Sequence, residues 1–374
     1  MTLKHKHRIL GWMMAYVLFY PLALWVVQGS ERLFRKIDQQ LAQHCLGIVS
    51  HPVSCSINKA TLDQKIKQGL PAWAKAQIQE DLAPFKKIKR SDLAHYADAH
   101  DLLQFQIKQS KALSPQHDRF QNNPVYRIMH DTFQYLAKHH YISDTHFLMA
   151  LGDYFEPKAK APVPVWVFAK DLAHPFEREM ILIPDWMNLG EAAALRPMMR
   201  KASKKFPWTA KKSILFWRGG KTGHENAGRT ALVASSYKEP THIDACFTDN
   251  KASKDCSFVS PANHLQYKYL VSMDGARATW TRLVWHLHAN SLTFKYDSKH
   301  FQWFYKGIEP HLHYMPAHNK KTLLEGMDWA EKNPEAAQAI AQRASAFVEN
   351  HLSVEDMYHY IIVLCQEYTK IFEN

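Results

Sequence analysis

The sequence predicts an α/β fold in two halves, preceded by a helical region and an apolar N-terminal segment. The chain has 374 residues, and domains of about 100–200 residues are usual, which suggests two domains. Hydrophobic residues make up 46% of the chain, enough for a sizeable core. Short apolar runs alternate with helical patterns in the C-terminal half, as in doubly wound nucleotide-binding domains.

The N-terminal segment is apolar enough to cross a membrane. Residues 9–27 carry no charged side chain, and at about 1.5 Å per residue such a helix approaches the thickness of a bilayer core. Trp12 and Trp25 lie near its ends, as interfacial aromatics do. We expect residues 1–30 to form a membrane anchor with one transmembrane helix. A buried or in-plane helix is the alternative.

The spacing of apolar residues divides the remaining chain into a mostly helical region and a region of alternating strands and helices. Residues 31–145 show apolar residues at three- and four-residue spacing, which predicts a mostly helical region that includes 92–109. Strands are then predicted from short apolar runs at 146–153, 162–170, 179–186, 213–220, 241–248, 267–275 and 291–296. Helices are predicted at 226–236 and 278–290, and near 321–333, 334–350 and 353–372. A boundary near Phe206-Pro207 gives domains 31–205 and 206–374.

The charge balance favours anionic partners. The net charge is +12 and the pI is about 9.3, which suits anionic lipid, phosphorylated small molecules or nucleic acid. Interleaved aromatic RNA-binding motifs are missing, so we expect no nucleic-acid partner. The densest basic stretch is either a solvated face or a contact for anionic groups, and it comprises Arg200, Lys201, Lys204, Lys205, Lys211 and Lys212.

Cysteine and histidine patterns argue against a metal site. No two of the five cysteines form a CxxC pair. Cys45 with Cys55, and Cys246 with Cys256, could close short disulfides, or all five could be free thiols. Histidine clusters lack the spacing of metal ligands, so we expect no metal and no other cofactor.

Polar residues follow three of the predicted strands, where ligands of open α/β sheets bind. A phosphate-binding loop is excluded at the second position, because Leu215 stands where that loop needs glycine. Exposed backbone N–H groups and cations there still suit an anion, although a tight turn and a helix N-cap are the plainer readings. The residues are Gly152-Asp153, then Arg218-Gly219-Gly220-Lys221-Thr222, then Asp274-Gly275 with Arg282 on the next helix.

Several blocks in order resemble glycosyltransferase family 90. They are FWRGGKTGHENAGRTAL, YKYLVSMDGARATWTRLVWHLHANSLTFKY, WFYKGIEPHLHYMPA and the tail AQAIAQRASAFVENHLS, within residues 146–372. The family includes protein O-glucosyltransferases of the secretory pathway, fungal capsule xylosyltransferases and bacterial lipopolysaccharide glycosyltransferases. The resemblance implies a GT-B-like fold, in which two Rossmann-like domains face a cleft. It also implies a UDP-sugar donor and metal-independent inversion.

The resemblance also assigns roles to residues. Residues 31–205 would hold the acceptor side and residues 206–374 the donor. The catalytic aspartate falls on Asp153 of Gly152-Asp153-Tyr154, where a glycine replaces the arginine of the family motif. The donor site would comprise Arg218, Gly219, Gly220, Thr222, Arg229, Asp274, Gly275 and Arg282.

The expected function is transfer of a sugar from a UDP-sugar to an acceptor hydroxyl. We expect bacterial lipopolysaccharide or another envelope glycan as the product, with a glycan or lipid-linked acceptor. One alternative is a protein O-glycosyltransferase in a secretory lumen, which the two cysteine pairs would suit. Another is a non-catalytic anion- or nucleic-acid-binding protein on a degenerate transferase fold.

The expected location follows from donor supply. The basic residues on the two sides of the apolar segment are balanced, so charge alone does not orient it. Nucleotide sugars are made in the cytoplasm, and we therefore expect the catalytic part on the cytoplasmic face of a bacterial inner membrane. A type II luminal arrangement is the alternative.

Overall fold

The structure is a computed structural model, and it describes residues 57–100, 102–152, 155, 157, 160–222, 227–248 and 256–373. The predicted membrane segment, Cys45, Cys55 and Asp153 lie outside the described residues. Within the described ranges, no helix is long and apolar enough to cross a membrane.

The first sheet has five strands in the order β2-β1-β3-β4-β6. The central pairs β3/β4 and β4/β6 are parallel, and β1 joins β2 and β3 in antiparallel fashion. The strands are β1 Leu103–Lys108, β2 Lys111–Leu113, β3 Thr145–Met149, β4 Val165–Val167 and β6 Ile181–Leu182. A separate two-stranded ribbon pairs β5 Lys170–Asp171 with β11 His300–Phe301.

Strand β1 corrects the prediction of helix through residue 109. Leu103, Phe105 and Ile107 are buried and alternate with two glutamines, a spacing of two rather than of three or four. Pairing with β3 places these residues in the core. The helix before it ends at His100.

The second sheet confirms the predicted strands of the C-terminal half. Its order is β12-β10-β9-β7-β8, and every pair is parallel. The strands are β7 Lys212–Gly219, β8 Ile243–Phe247, β9 Tyr267–Ser272, β10 Leu292–Tyr296 and β12 Met315–Ala317. Because all five run in one direction, their carboxyl ends meet at one edge of the sheet.

Helices flank the sheets and include the three predicted near the C-terminus. They are α1 Lys59–Gln68, α2 Ala72–Leu82, α3 Arg90–His100, α4 His117–Phe120, α5 Pro124–Lys138, α6 Trp186–Lys205, α7 Ala227–Lys238, α8 Pro261–His264, α9 Thr281–Leu287, α10 Lys320–Lys332, α11 Pro334–His351 and α12 Val354–Tyr368. Capping side chains fix several of their starts. Asp185, for example, accepts a hydrogen bond from the backbone N–H of Asn188 at 2.9 Å and begins α6.

The hydrophobic core follows the two sheets, but the end of the chain returns to the first. Tyr358, Tyr360 and Tyr368 of α12 are buried in the same cluster as strands β1, β3 and β4. A second cluster packs around β7, β9 and β10. The predicted division near residue 206 therefore separates the two sheets, whereas α12 packs with the first; the domain boundaries themselves stay a prediction.

One of the two candidate cysteine pairs is a disulfide. Cys246, in β8, is bonded to Cys256, with 5.5 Å between the Cα atoms. Cys365 is a buried free thiol.

Candidate functional site

Two arginines from different helices share one indole at the carboxyl end of β7. Residues alternate along the strand, so Trp217 and Gly219 face one side of the sheet. Arg229 comes from the first turn of α7 and Arg282 from the first turn of α9. Their Cζ atoms lie 5.4 Å and 5.9 Å from the Trp217 ring centroid, within reach of cation–π attraction.

Arg229 ties together the two loops that border this indole. Its Nη1 donates to the carbonyl of Gly220 at 2.8 Å and to Oγ1 of Thr222 at 2.9 Å. Its Nη2 donates to the carbonyl of Met273 at 3.1 Å. The turn after β7 and the loop after β9 are thus held at a fixed separation.

Arg282 keeps its positive charge without a carboxylate beside it. Among the described residues, none forms an ion pair with its guanidinium, which packs instead over Trp217. Burial, together with the nearby positive charge of Arg229, lowers the pKa of Arg282 to about 10. Two like charges at short range raise each other's energy, so an anion bound between them would relieve that repulsion.

Glycine is required at two positions beside the arginines. A β-carbon at Gly219 would lie 2.6 Å from Cζ2 of Trp217 and 3.0 Å from Nη1 of Arg282. A β-carbon at Gly275 would lie 2.9 Å from Oγ1 of Thr222 and 3.0 Å from Nη2 of Arg229. The lack of a side chain therefore lets both guanidinium groups lie against main chain.

Arg218 lies on the other face of β7 and has its own carboxylate. Its Cζ lies 4.5 Å from the ring centroid of Phe216. Its Nη2 lies 2.7 Å from Oδ1 of Asp244, and its Nη1 donates to the Asp244 carbonyl at 3.1 Å. The charge of Arg218 is thus neutralised by the carboxylate of Asp244 in strand β8, and Arg218 is not part of the Arg229–Arg282 pair.

Asp274 connects the loop after β9 to the ribbon strand β11. Its Oδ2 lies 3.0 Å from Nδ1 of His300 and accepts a hydrogen bond from Ser298. Two residues beyond Gly275, Arg277 forms a buried bidentate pair with Glu177, at 3.0 Å for both bonds. Glu177 lies just before the first sheet's last strand, so the loop after β9 is fixed to the first half of the fold.

Of the predicted site residues, the structure brings together Gly219, Gly220, Thr222, Arg229, Gly275 and Arg282. Sequence reasoning missed Trp217, because an aromatic residue inside a strand is ordinarily core. It also missed His300 and the Arg277–Glu177 pair, whose partners lie far apart in the chain. Asp153 lies outside the described residues.

In the portion of the chain that the structure describes, no group of three or more His, Cys, Asp or Glu side chains is placed to hold a metal ion.

The fold and the site define an α/β protein with a cationic site at the carboxyl edge of a parallel sheet. The sequence model of glycosyl transferase family 90 matches residues 71–374. The chain therefore belongs to this family and is a glycosyltransferase, as the motif blocks predicted.

Similar proteins include protein O-glucosyltransferases. Protein O-glucosyltransferase 1 of Bos taurus is 28% identical over 320 residues, covering 78% of this chain and 79% of the relative. The protein of the same name from Homo sapiens is 27% identical over the same shares. The O-glucosyltransferase rumi of Drosophila pseudoobscura pseudoobscura is 30% identical over 196 residues, which cover 49% of this chain and 47% of the relative.

Solved structures show more distant likeness. A crystal structure of an Anabaena protein in complex with UDP and glucose aligns with a TM-score of 0.31 and 9% identity, over 46% of this chain and 51% of that one. A glycosyltransferase from Rickettsia africae aligns with a TM-score of 0.37 and 12% identity, over 55% and 64%.

Proposed function

We propose that this glycosyltransferase moves a sugar from a UDP-sugar to a hydroxyl group with inversion of the anomeric carbon. The observation that carries the proposal is the Arg229–Arg282 pair over Trp217. As the bond between the sugar and the β-phosphate breaks, negative charge develops on the leaving UDP. Fixed guanidinium groups and backbone N–H groups stabilise such charge, and this needs no metal ion.

The reaction also needs a base, and we propose Asp153 for that role. The acceptor oxygen forms a bond to the anomeric carbon while the bond from that carbon to the phosphate oxygen breaks. The acceptor's proton passes to a carboxylate, and general bases of this kind contribute roughly 10²–10⁴-fold to rate. The assignment rests on the Gly152-Asp153-Tyr154 motif. A GT-B-like arrangement of the two sheets belongs to the same proposal.

We propose a protein hydroxyl as the acceptor. The similar proteins from Bos taurus and Homo sapiens are protein O-glucosyltransferases, which favours this acceptor over the lipopolysaccharide expected from the sequence. An anionic glycan acceptor bound at the basic stretch 200–212 has less support, because two cations of that stretch already have partners within the protein. Lys211 is buried and donates to the carbonyl of Leu265 at 2.7 Å, and Arg200 donates to Oε1 of Glu349 at 2.6 Å.

Cysteine chemistry supports a luminal or exported compartment for the proposed reaction. Disulfides persist in oxidising compartments and are rare in the cytosol. The Cys246–Cys256 disulfide therefore supports the luminal or exported alternative over the cytoplasmic location. Anchoring by residues 9–27 stays a proposal from the sequence. Alkaline phosphatase activity of a C-terminal fusion would support export, and an inactive fusion together with a bright cytoplasmic fluorescent fusion would contradict it.

A transfer assay tests the proposed function. Purified protein is incubated with radiolabelled UDP-glucose, UDP-xylose or UDP-galactose and with separated protein and lipopolysaccharide fractions of the source cells. We expect label in the protein fraction, and an at least ~10-fold lower yield with Arg282→Ala, since a charge-assisted hydrogen bond is worth about 1.5–3 kcal/mol. Label found only in lipopolysaccharide would overturn the proposal of a protein hydroxyl as the acceptor. UDP binding without any transfer would favour the degenerate-fold alternative.

A further inference from the structure

A third cation, Lys295, lies near the carboxyl edge of the same sheet, apart from the Arg229–Arg282 pair. It lies near the carboxyl end of β10, the strand next to β9 in the sheet. Its Nζ lies 4.9 Å from the ring centroid of Tyr305 and 5.8 Å from that of Tyr314. Lys295 is partly buried, and it forms neither an ion pair nor a hydrogen bond through Nζ within the described part of the chain.

Two carboxylates lie near this amine without touching it. Burial lowers the pKa of Lys295, whereas the charges of Asp274 and Asp297 act in the opposite direction and favour the ammonium form. Among the described residues, no carboxylate lies within ion-pair distance of Nζ. A ligand group that both donates and accepts hydrogen bonds could therefore bridge this amine and a carboxylate.

Asp274 is held so that one of its carboxylate oxygens can accept a hydrogen bond from a ligand. His300 and Ser298 both bind Oδ2, which fixes the orientation of the carboxylate. Oδ1 accepts no hydrogen bond from any described residue, and 18% of the side chain is exposed. An immobilised carboxylate with one open oxygen is a ready acceptor for a hydroxyl.

The position of Asp274 in the chain places this hydrogen-bond acceptor next to the Arg229–Arg282 pair. The residue before it, Met273, accepts a hydrogen bond from Arg229 at 3.1 Å. The residue after it, Gly275, lies against the same guanidinium. A group bound at Asp274 would therefore adjoin a diphosphate bound at the arginines.

Charge distinguishes the two neighbouring sites. Around Arg282 two guanidinium groups lie against one indole, and no described carboxylate pairs with Arg282, which suits a diphosphate. Around Lys295 lie the carboxylates of Asp274 and Asp297, which are themselves contacted by His300 and His318. Such a mixed set of groups suits a neutral ligand that can both donate and accept hydrogen bonds. A sugar ring is neutral, and its adjacent hydroxyls can donate to a carboxylate and accept from an ammonium group.

We propose that Lys295 and Asp274 bind hydroxyl groups on the sugar ring of the donor, and that His300 and Ser298 position Asp274. This inference rests on the proposed function, because it requires a nucleotide sugar at the arginines. Lys295 would then contribute to binding of the sugar and not to binding of UDP.

Calorimetry with UDP and with UDP-sugars tests the inference. The donor used is whichever of UDP-glucose, UDP-xylose and UDP-galactose binds wild-type protein most tightly. For Lys295→Met we expect UDP affinity within about twofold of wild type and UDP-sugar affinity lowered at least ~10-fold, the loss expected for one charge-assisted hydrogen bond. Lys321→Met is the matched control, since the Lys321 side chain is 81% exposed, and both of its affinities should be unchanged.

Asp274→Asn provides an independent arm and keeps the test decisive if Lys295→Met does not fold. It should show the same selective loss for the UDP-sugar. Equal losses for UDP and UDP-sugar in both variants would move these residues to the diphosphate and overturn the inference. Unchanged affinities for both ligands would overturn it as well. Wild-type protein that binds neither UDP nor any of the three donors would instead overturn the proposed function on which the inference rests.

Discussion

Arg282 lies against the backbone of Gly219, with its Nη1 atom 3.0 Å from the position that a β-carbon would take there. The same β-carbon would lie 2.6 Å from Cζ2 of Trp217. The strand end, the indole and the guanidinium therefore fit together because residue 219 has no side chain. An anion bound by Arg282 would approach the backbone of this strand end closely.

Gly219→Ala tests that fit. The added methyl group must displace Arg282 or Trp217, so we expect UDP affinity to fall at least ~10-fold, as for the loss of one charge-assisted hydrogen bond. Gly228→Ala is the matched control. Its β-carbon would lie 2.9 Å from the terminal methyl of Met273, the far end of a flexible side chain, and alanine favours the helix. Calorimetry measures both variants. Wild-type affinity in a folded Gly219→Ala protein would show that Arg282 does not contact UDP.

Asp153→Asn tests the base. Asparagine keeps the size of the side chain but cannot take the acceptor's proton, so we expect turnover to fall by at least ~10²-fold. UDP affinity should stay at the wild-type level, because the proposed role concerns the acceptor and not the nucleotide. Steady-state kinetics and calorimetry on one preparation measure the two quantities. Near-normal turnover in the variant would remove Asp153 from the mechanism.

Removal of divalent cations tests whether the arginines suffice to stabilise the leaving group. With Arg229 and Arg282 at the site, we expect turnover in excess EDTA to stay within about twofold of the untreated enzyme. The assay is the transfer reaction before and after chelation, and then with added manganese. Loss of turnover in EDTA with recovery in manganese would contradict metal-independent transfer.

Glu191, on helix α6, gives the fold a predicted pH dependence. Burial raises the pKa of this carboxyl to about 7, with a further contribution from the charge of Asp185. As pH rises from about 4.3 to about 7, the unfolded chain releases the proton while the folded chain keeps it, so the free energy of unfolding decreases. Glu191→Gln removes this pH-dependent decrease in the free energy of unfolding, because glutamine does not titrate. We therefore expect the variant to gain stability relative to wild type between pH 5 and pH 8, by about 1 kcal/mol or more.

Denaturant unfolding at the two pH values measures this gain. Glu325→Gln is the control for removing a surface charge, because the Glu325 side chain is 60% exposed. Its effect should stay within about 0.5 kcal/mol at either pH. An equal change in stability at pH 5 and pH 8 for Glu191→Gln would contradict the prediction.

The second sheet was predictable because of how its strands are buried. Parallel strands covered on both faces are near-continuous apolar runs, and residues 213–217 and 267–271 have that character. Strand β1 was not predicted, because it is short and follows helix α3 without a glycine or proline between them. Its alternation of Leu103, Phe105 and Ile107 with glutamines is the signal that could have revealed it.

The candidate site was predictable to the extent that motifs carry it. Gly219, Arg229 and Arg282 came from the family blocks, and the structure places them around one indole. The ion pair of Arg218 with Asp244 depends on the register of β7 against β8, which sequence spacing does not reveal. The contact of Asp274 with His300 likewise depends on how the ribbon of β5 and β11 folds back.

Calorimetric titration of UDP, in EDTA, tests whether Arg229 and Arg282 bind the diphosphate of a UDP-sugar. Wild-type, Arg282→Ala and Arg218→Ala proteins are compared. We expect wild type to bind UDP and Arg282→Ala to bind it at least ~10-fold more weakly. Arg218→Ala should lose less affinity, because Asp244 already pairs with Arg218. Equal UDP affinity in wild-type and Arg282→Ala protein, or no UDP binding by folded wild-type protein, would show that these arginines do not form a diphosphate site.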